Sequence, residues 1–283
     1  MTDGALRGMG VLVTGGGTGI GRACAEALAA DGAVVTICGR TEDRLVDAVD
    51  QIRTGHGGSV HHVVADVTSE DDVRAAVSAA AANAGNLRGV VANAGGGGGL
   101  RPLHLQEVDG FEAVLRLNVV GTMLCLKHAV PEMVEAGGGS FVGMSSIAGH
   151  VTHPHFGAYP VAKAGIEELM RNAADEFGAS GVRCNAIRPG FIATELMDFV
   201  PRDSEVFASY VRNTPLAPTL TTGVGEPSDV GALARFLIGP ESRWITGTAI
   251  NVDGGQGLRA GPDFSSFLAA MGDDVLRGHR PAD

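Results

Sequence analysis

Short runs of β-branched and other apolar residues alternate along the chain with longer stretches whose apolar positions recur every three or four residues. The short runs predict strands at 10–14, 33–38, 59–65, 89–92, 140–144, 183–188 and 249–252. The longer periodic stretches predict helices at 20–31, 42–54, 70–83, 107–135, 158–177 and 227–237. Strand and helix taking turns in this way is the signature of parallel strands joined by crossover helices. The expected fold is therefore α/β, a doubly wound parallel sheet of about seven strands with helices on both faces. No Pro/Gly/Ser-rich linker interrupts the pattern, so residues 1–283 are expected to form a single domain.

Composition narrows the picture without changing it. With 283 residues and 45% hydrophobic content, the chain can bury a large core. A net charge of −11 argues against a nucleic-acid or anionic-membrane partner. The sequence shows no apolar run of membrane-spanning length and no basic, apolar leader, so a soluble cytoplasmic protein is expected. Cys24, Cys38, Cys125 and Cys184 are isolated in apolar stretches with no C-x-x-C spacing, which points to buried thiols rather than a disulfide or metal framework.

Two local patterns carry chemistry. Thr14-Gly15-Gly16-Gly17-Thr18-Gly19-Ile20-Gly21 joins the first strand run to the first helical run. Glycines there let the backbone approach a pyrophosphate, and the N-terminus of the following helix favours its negative charge. The spelling is TGxxxGxG; neither G-x-G-x-x-G nor a Walker A is met, since Arg22 stands where the latter needs lysine. The second pattern is Tyr159-Pro160-Val161-Ala162-Lys163, in a chain with only two tyrosines and two lysines. Four residues apart on a helix, the ammonium of Lys163 can approach the phenol of Tyr159 and lower its pKa from about 10, which makes the pair a tuned acid/base. Pro160 is compatible with a helix only in its first turn, so this helix should begin near Ala158. Ser146 ends an apolar strand run thirteen residues earlier, at the edge where open α/β sheets hold ligands.

From about Gly8 to Gly255 the chain resembles the short-chain dehydrogenase/reductase family, whose sheet is Rossmann-like. The resemblance rests on TGGGTGIG at 14–21, Asp66-Val67, Asn93-Ala94-Gly95, Asn118-Val119-Val120-Gly121, Ser146 with Tyr159 and Lys163, Pro189-Gly190 with Thr194, and Ile245-Thr246-Gly247 leading to Val252-Asp253-Gly254-Gly255. It implies an oxidoreductase that interconverts a carbonyl and a secondary alcohol by hydride transfer. Tyr159 would be the acid/base, Lys163 would tune it and hold the nicotinamide ribose, and Ser146 would hold the substrate oxygen. Asn118 would help keep a water that connects Lys163 to solvent. The cofactor would lie on Gly15, Gly17, Thr18, Gly19, Ile20 and Gly21, with Asp66 and Val67 at the adenine. Asn93, Ala94 and Gly95 would line the cleft, and Pro189, Gly190, Ile192 and Thr194 would complete it.

Cofactor choice is read at the end of the second strand. An acidic residue about 20 positions after the glycine turn would bind the ribose 2′-hydroxyl of NAD(H), but Gly39 stands there and Arg40 follows. Arg40 can pair with a 2′-phosphate, so NADP(H) is expected to be preferred, with NAD(H) possible. Family likeness makes 191–224 a substrate-covering segment. Its Met197, Phe199, Val200, Phe207, Tyr210, Val211 and Leu216 suit either a mainly apolar substrate pocket or packing against the helix of Tyr159. Fatty-acyl, steroid and small ketone substrates all stay open, with 3-oxoacyl reduction leading. Sugar-nucleotide epimerases share Tyr-x-x-x-Lys but usually spell TGxxGxxG and carry a longer C-terminal domain; a non-catalytic NADP(H) sensor is a further alternative. His150, His153 and His155 are expected to be solvated loop residues at the substrate mouth rather than metal ligands. A homotetramer, or failing that a dimer, is expected from the long helices 107–135 and 158–177. The tail 256–283, with Phe264, Phe267, Leu268 and Met271, is expected to dock at a subunit interface or over a neighbour's pocket, or else to fray.

Overall fold

The computed structural model describes residues 4–197, 199–259 and 264–280; part of the tail expected to dock, 260–263 and 281–283, lies outside them. Its centre is one parallel sheet. The strands are β1 (Gly10–Thr14), β2 (Val34–Gly39), β3 (Ser59–Val64), β4 (Gly89–Ala92), β5 (Gly139–Met144), β6 (Val182–Pro189) and β7 (Ala249–Val252). They lie in the order β3-β2-β1-β4-β5-β6-β7, every neighbouring pair parallel. All five residues of β1 and all four of β4 are buried, as befits central strands covered on both faces.

The helices are α1 (Gly19–Ala30), α2 (Glu42–His56), α3 (Glu70–Ala84), α4 (Val108–Leu115), α5 (Gly121–Glu135), α6 (Ala158–Phe177), α7 (Glu205–Asn213), α8 (Pro227–Ile238) and a short α9 (Asp273–Leu276). One face of the sheet packs Cys24 and Leu28 of α1, Leu45 of α2 and Leu237 of α8. The other packs Val73 and Val77 of α3, Leu124 and Met133 of α5 and Met170 of α6. Strand order reverses direction between β1 and β4, which opens a crevice at their carboxyl ends. The site lies there.

Three differences from the sequence pattern have physical causes. The helix expected at 107–135 is interrupted by a π turn at Arg116–Val120, because one extra residue per turn leaves the apolar period almost intact and is invisible in it. By length and composition the whole run Val108–Glu135 could cross a membrane, contrary to the expectation that no such run exists; half of that apolar stretch is buried, with α5 on the sheet. Helix α7 forms within the segment read only as a substrate cover, started by the Ser204 hydroxyl, which accepts from Phe207 N at 3.1 Å.

Candidate active site

The cofactor end of the crevice is made mostly of main chain. Thr14 Oγ1 accepts from the N–H groups of Asn93 (3.0 Å) and Ala94 (2.9 Å), and Asn93 Nδ2 donates to Thr14 O at 3.0 Å. These bonds lock the turn after β1 to the loop after β4, so both walls of the crevice move together. At Gly21 a Cβ would lie 2.1 Å from Gly15 O, so the first turn of α1 can rest on the glycine turn only without a side chain. No acidic residue occupies that first turn, which leaves its positive end free to face an anion.

Along a cleft of about 460 Å³ the structure brings together Gly15, Gly17, Thr18, Gly19, Ile20, Gly21, Arg40, Asp66, Val67, Asn93, Ala94, Gly95, Ser146, Tyr159, Lys163, Pro189, Gly190, Ile192 and Thr194. The residues fit a dinucleotide: a side-chain-free cradle, a helix N-terminus and a long groove across the switch point. Met197, read from the sequence as a candidate for an apolar substrate pocket, lines it too, and so do Thr41, Arg44, Leu117 and Glu195, which were not read from the sequence. Arg44, in the first turn of α2 and four residues after Arg40, pairs with Glu195 at 3.5 Å across the mouth. A second arginine one helical turn beyond the first is a signal the sequence did contain. Asp66 has its carboxylate held below the usual range, first by the Thr68 N–H at 2.8 Å and also by the charges of Arg40 and Arg116.

Asn118 is the one predicted site residue that does not line the cleft. It sits in the π turn, fully buried, with Nδ2 donating to Gly96 O and Val114 O at 2.9 Å each, and Oδ1 accepting from Gly96 N at 3.3 Å. A Cβ on Gly95 would lie 2.5 Å from Asn118 Oδ1 and 3.2 Å from Lys163 Nζ. The asparagine therefore clamps the loop that floors the site, directly beneath the lysine.

Lys163 is buried, and its Nζ donates to Met144 O at 2.8 Å while lying 5.4 Å from the centroid of the Tyr159 ring. Burial brings its ammonium down to about 8. The phenol does not lie below its usual value as expected: burial raises Tyr159, and a hydrogen bond from Ser146 opposes that rise. The Lys163 cation is engaged by a carbonyl, and desolvation of the phenolate is the largest cause of the shift. Ser146 Oγ accepts from Ala148 N at 3.2 Å, and its own proton serves the hydrogen bond to the Tyr159 phenol.

Behind this group lies a buried ion pair that sequence reasoning missed. Glu167, one helical turn beyond Lys163, takes Arg188 of β6 through Nε at 2.6 Å and Nη2 at 2.5 Å. Ser145 Oγ lies 2.8 Å from Glu167 Oε1 and 3.0 Å from Lys163 O. The pair thus braces both the residue before Ser146 and the turn that carries Lys163. Its only sequence signal was a carboxylate on the same helical face as Tyr159 and Lys163.

The three loop histidines are not alike. His150 is exposed, but His153 is buried against Phe156, its ring in an edge-on contact and Nδ1 2.8 Å from Val151 O, and burial lowers its pKa. The expectation of three solvated histidines fails for His153, because the neighbouring aromatic rings cover it. Among the described residues no three metal-binding side chains converge.

A groove that fits a dinucleotide and ends on a phenol, a hydroxyl and an ammonium defines a class, the oxidoreductases that pass hydride between a nicotinamide and a bound carbon. Relatives agree. A family model described as enoyl-(acyl carrier protein) reductase matches residues 15–256. The cis-4-hydroxycyclohexanecarboxylate dehydrogenase of Sinomonas cyclohexanicum is 37% identical over 86% of this chain and 94% of its own. A short-chain type dehydrogenase/reductase from Mycobacterium ulcerans superposes with a TM-score of 0.93 at 45% identity, over 97% of this chain and 99% of that one. A 7α-hydroxysteroid dehydrogenase solved with NADH and 7-oxo glycochenodeoxycholic acid gives 0.83 at 30% identity, over 90% and 97%. The chain belongs to the short-chain dehydrogenase/reductase family and is an NAD(P)-dependent oxidoreductase of alcohol and carbonyl groups.

Proposed function

We propose that the protein interconverts an alicyclic secondary alcohol and its ketone, with NADP(H) preferred over NAD(H). The observation that supports the substrate class is the apolar, aromatic cluster of Phe156, Phe191, Val206, Tyr210, Val224 and Phe264, which packs beside Tyr159 at the end of the cleft and gives that end an apolar character. Among the relatives, a hydroxycyclohexanecarboxylate dehydrogenase and a hydroxysteroid dehydrogenase are named for ring substrates, which supports this class. The NADP(H) preference is supported by Gly39, where a Cβ would meet nothing nearer than Leu45 at 3.5 Å, and by exposed Arg40 and Arg44 beside the same groove.

When bound, the nicotinamide supplies or takes the hydride. Everything else falls to this chain's residues. Ser146 turns its hydroxyl proton from the phenol to the substrate oxygen. Tyr159 gives its phenol proton to that oxygen during reduction and takes it back during oxidation, as a general acid/base. Lys163, charged below about pH 8, stabilises the phenolate left behind. Asn118 and the Glu167–Arg188 pair hold the lysine and serine in place, and the apolar cluster beside Tyr159 keeps water from that side of the phenol. Helices α4, α5 and α6 leave Val108, Met123, Val134 and Val161 exposed, which supports assembly into a homotetramer.

The test is a set of alicyclic alcohols and ketones followed at 340 nm with each cofactor. Turnover of at least one ring substrate, faster with the phosphorylated cofactor, is expected. Turnover only of acyclic or acyl-thioester carbonyls would overturn the substrate class, and preference for NAD(H) would overturn the cofactor assignment.

A further inference from the structure

Five consecutive glycines, at 95–99, follow β4 and run past the Tyr159 phenol. Packing forces two of them: a Cβ on Gly95 would lie 2.5 Å from Asn118 Oδ1, and one on Gly98 would lie 3.0 Å from Val114 Cγ2. The other three are under no such constraint. A Cβ on Gly96 would meet only Leu117 Cδ2 at 3.7 Å, one on Gly97 only Tyr159 Cδ2 at 3.9 Å, and one on Gly99 nothing within 4 Å. None of the five has its φ in the left-handed region that favours glycine. Glycine costs chain entropy wherever the backbone does not require it, so the space kept open at these positions is the property to explain.

The loop that carries them is held at both ends. Asn118 bonds both main-chain groups of Gly96, and Arg101 N donates to His155 O at 2.9 Å, in the turn that leads to α6. Gln106 Nε2 donates to Arg101 O at 2.7 Å. The span between these anchors passes Tyr159 as a wall without side chains. Gly95 and Gly96 line the cleft together with Tyr159, Leu117 and Met197, and exposed Gly97 carries the same wall along the edge of the phenol ring.

From this placement we infer that Gly97, with Gly96 beside it, is a specificity-determining position whose bare wall admits bulk on the carbon next to the substrate's carbonyl. The inference rests on the oxidoreductase reading above and deepens it, from a ring ketone to one fused or branched beside its oxygen. A Cβ 3.9 Å from the Tyr159 ring is already at contact distance, so the methyl groups of a valine there would take the space such a substrate needs to bring its oxygen to the phenol. An unsubstituted ring is slimmer at that point and loses less. If the glycines served flexibility instead, a side chain at Gly99 would matter as much as one at Gly97.

The experiment compares Gly97→Val, Gly97→Ala and, as a control in the same loop, Gly99→Val with the wild type. First is the ratio of kcat/KM for trans-1-decalone, fused at the carbon next to its carbonyl, to that for cyclohexanone. It should fall at least about tenfold in Gly97→Val, the scale of methylene-sized changes in an apolar pocket, by less in Gly97→Ala, and not at all in Gly99→Val. Second is nitration of Tyr159 by tetranitromethane, read by peptide mass spectrometry with buried Tyr210 as the internal reference; this needs no turnover and should slow several-fold in Gly97→Val and not in Gly99→Val. An unchanged ratio in Gly97→Val, or an equal fall in Gly99→Val, would overturn the specificity claim. Unchanged nitration would overturn the placement of the open space at the phenol. A wild type that reduces cyclohexanone but not the decalone leaves the oxidoreductase reading standing and sinks this inference. If neither ketone reacts, the substrate reading fails and takes the specificity claim with it, while nitration still decides whether the space at Gly97 opens onto Tyr159. If Gly97→Val does not fold, Gly97→Ala carries both readouts.

Discussion

The two ends of the cleft are built from opposite materials. At the cofactor end, glycine turns, a helix N-terminus and crossed main-chain bonds at Thr14 and Asn93 form the walls, and a single Cβ at Gly21 or Gly95 would collide with its neighbours. Beyond Tyr159, at the other end, side chains from the segment after β6 and from the tail, above all Phe191, Tyr210 and Phe264, pack into an apolar cluster. Backbone walls fix one ligand for a whole family, whereas side-chain walls can change ring by ring without disturbing the sheet. The catalytic residues sit where the two meet.

The junction is the place to break first. Tyr159→Phe removes only the hydroxyl, so turnover should fall by about 10²–10⁴-fold while cofactor affinity, held at the other end, stays as it was. More than a few per cent of wild-type kcat remaining would show that another group handles the proton. Next in size is the brace beneath the junction. Glu167→Ala strands Arg188, and losing one partner of such a buried pair should cost about 3 kcal/mol, read as a drop in Tm. Glu167→Gln, which can still accept from Ser145, should recover part of kcat; equal kcat in both variants would mean the pair supports the fold alone.

Cofactor choice sharpens the comparison from the other side. Gly39→Asp with Arg40→Leu should exchange a preference of roughly ten- to a hundred-fold for NADP(H) for one favouring NAD(H), with the choice of carbonyl substrate untouched. Calorimetric titration with both reduced cofactors checks it. Similar affinities in the wild type would mean that Arg40 serves solvent only. The smallest effect is on pH. Burial lowers Lys163, so below about pH 8 it is charged in the free protein and above that it becomes neutral. kcat/KM for ketone reduction should therefore decline as pH rises past about 8. Lys163→Arg keeps its charge, so its profile should lack that limb whatever its absolute rate.

How much could be read beforehand follows the same division. Strands β1, β4 and β7 and helix α6 stand where the apolar pattern puts them, and the other strands differ by a residue or so at their ends. The glycine turn and the Tyr-Lys spacing were legible because their chemistry depends on residues close together in sequence. Glu167 and Arg188 were not, since 21 residues separate them and each alone looks like an ordinary charge on a helix or strand. The link from Phe156 to Phe264 spans more than a hundred positions and leaves no periodic trace, so the tail's apolar residues pointed no more to this cluster than to a neighbouring subunit. The direction of the Tyr159 shift also lay beyond the pattern, because burial, which decides it, is a property of the fold.

The central claim is that this cleft moves a hydride between the nicotinamide and the carbinol carbon of a ring. Incubating the protein with cyclohexanone and NADPH deuterated at the transferred position, then locating the label by mass spectrometry, tests it most directly. The account predicts cyclohexanol carrying one deuterium at the carbinol carbon, and none formed by Tyr159→Phe. Unlabelled cyclohexanol, or labelled product undiminished in Tyr159→Phe, would contradict it.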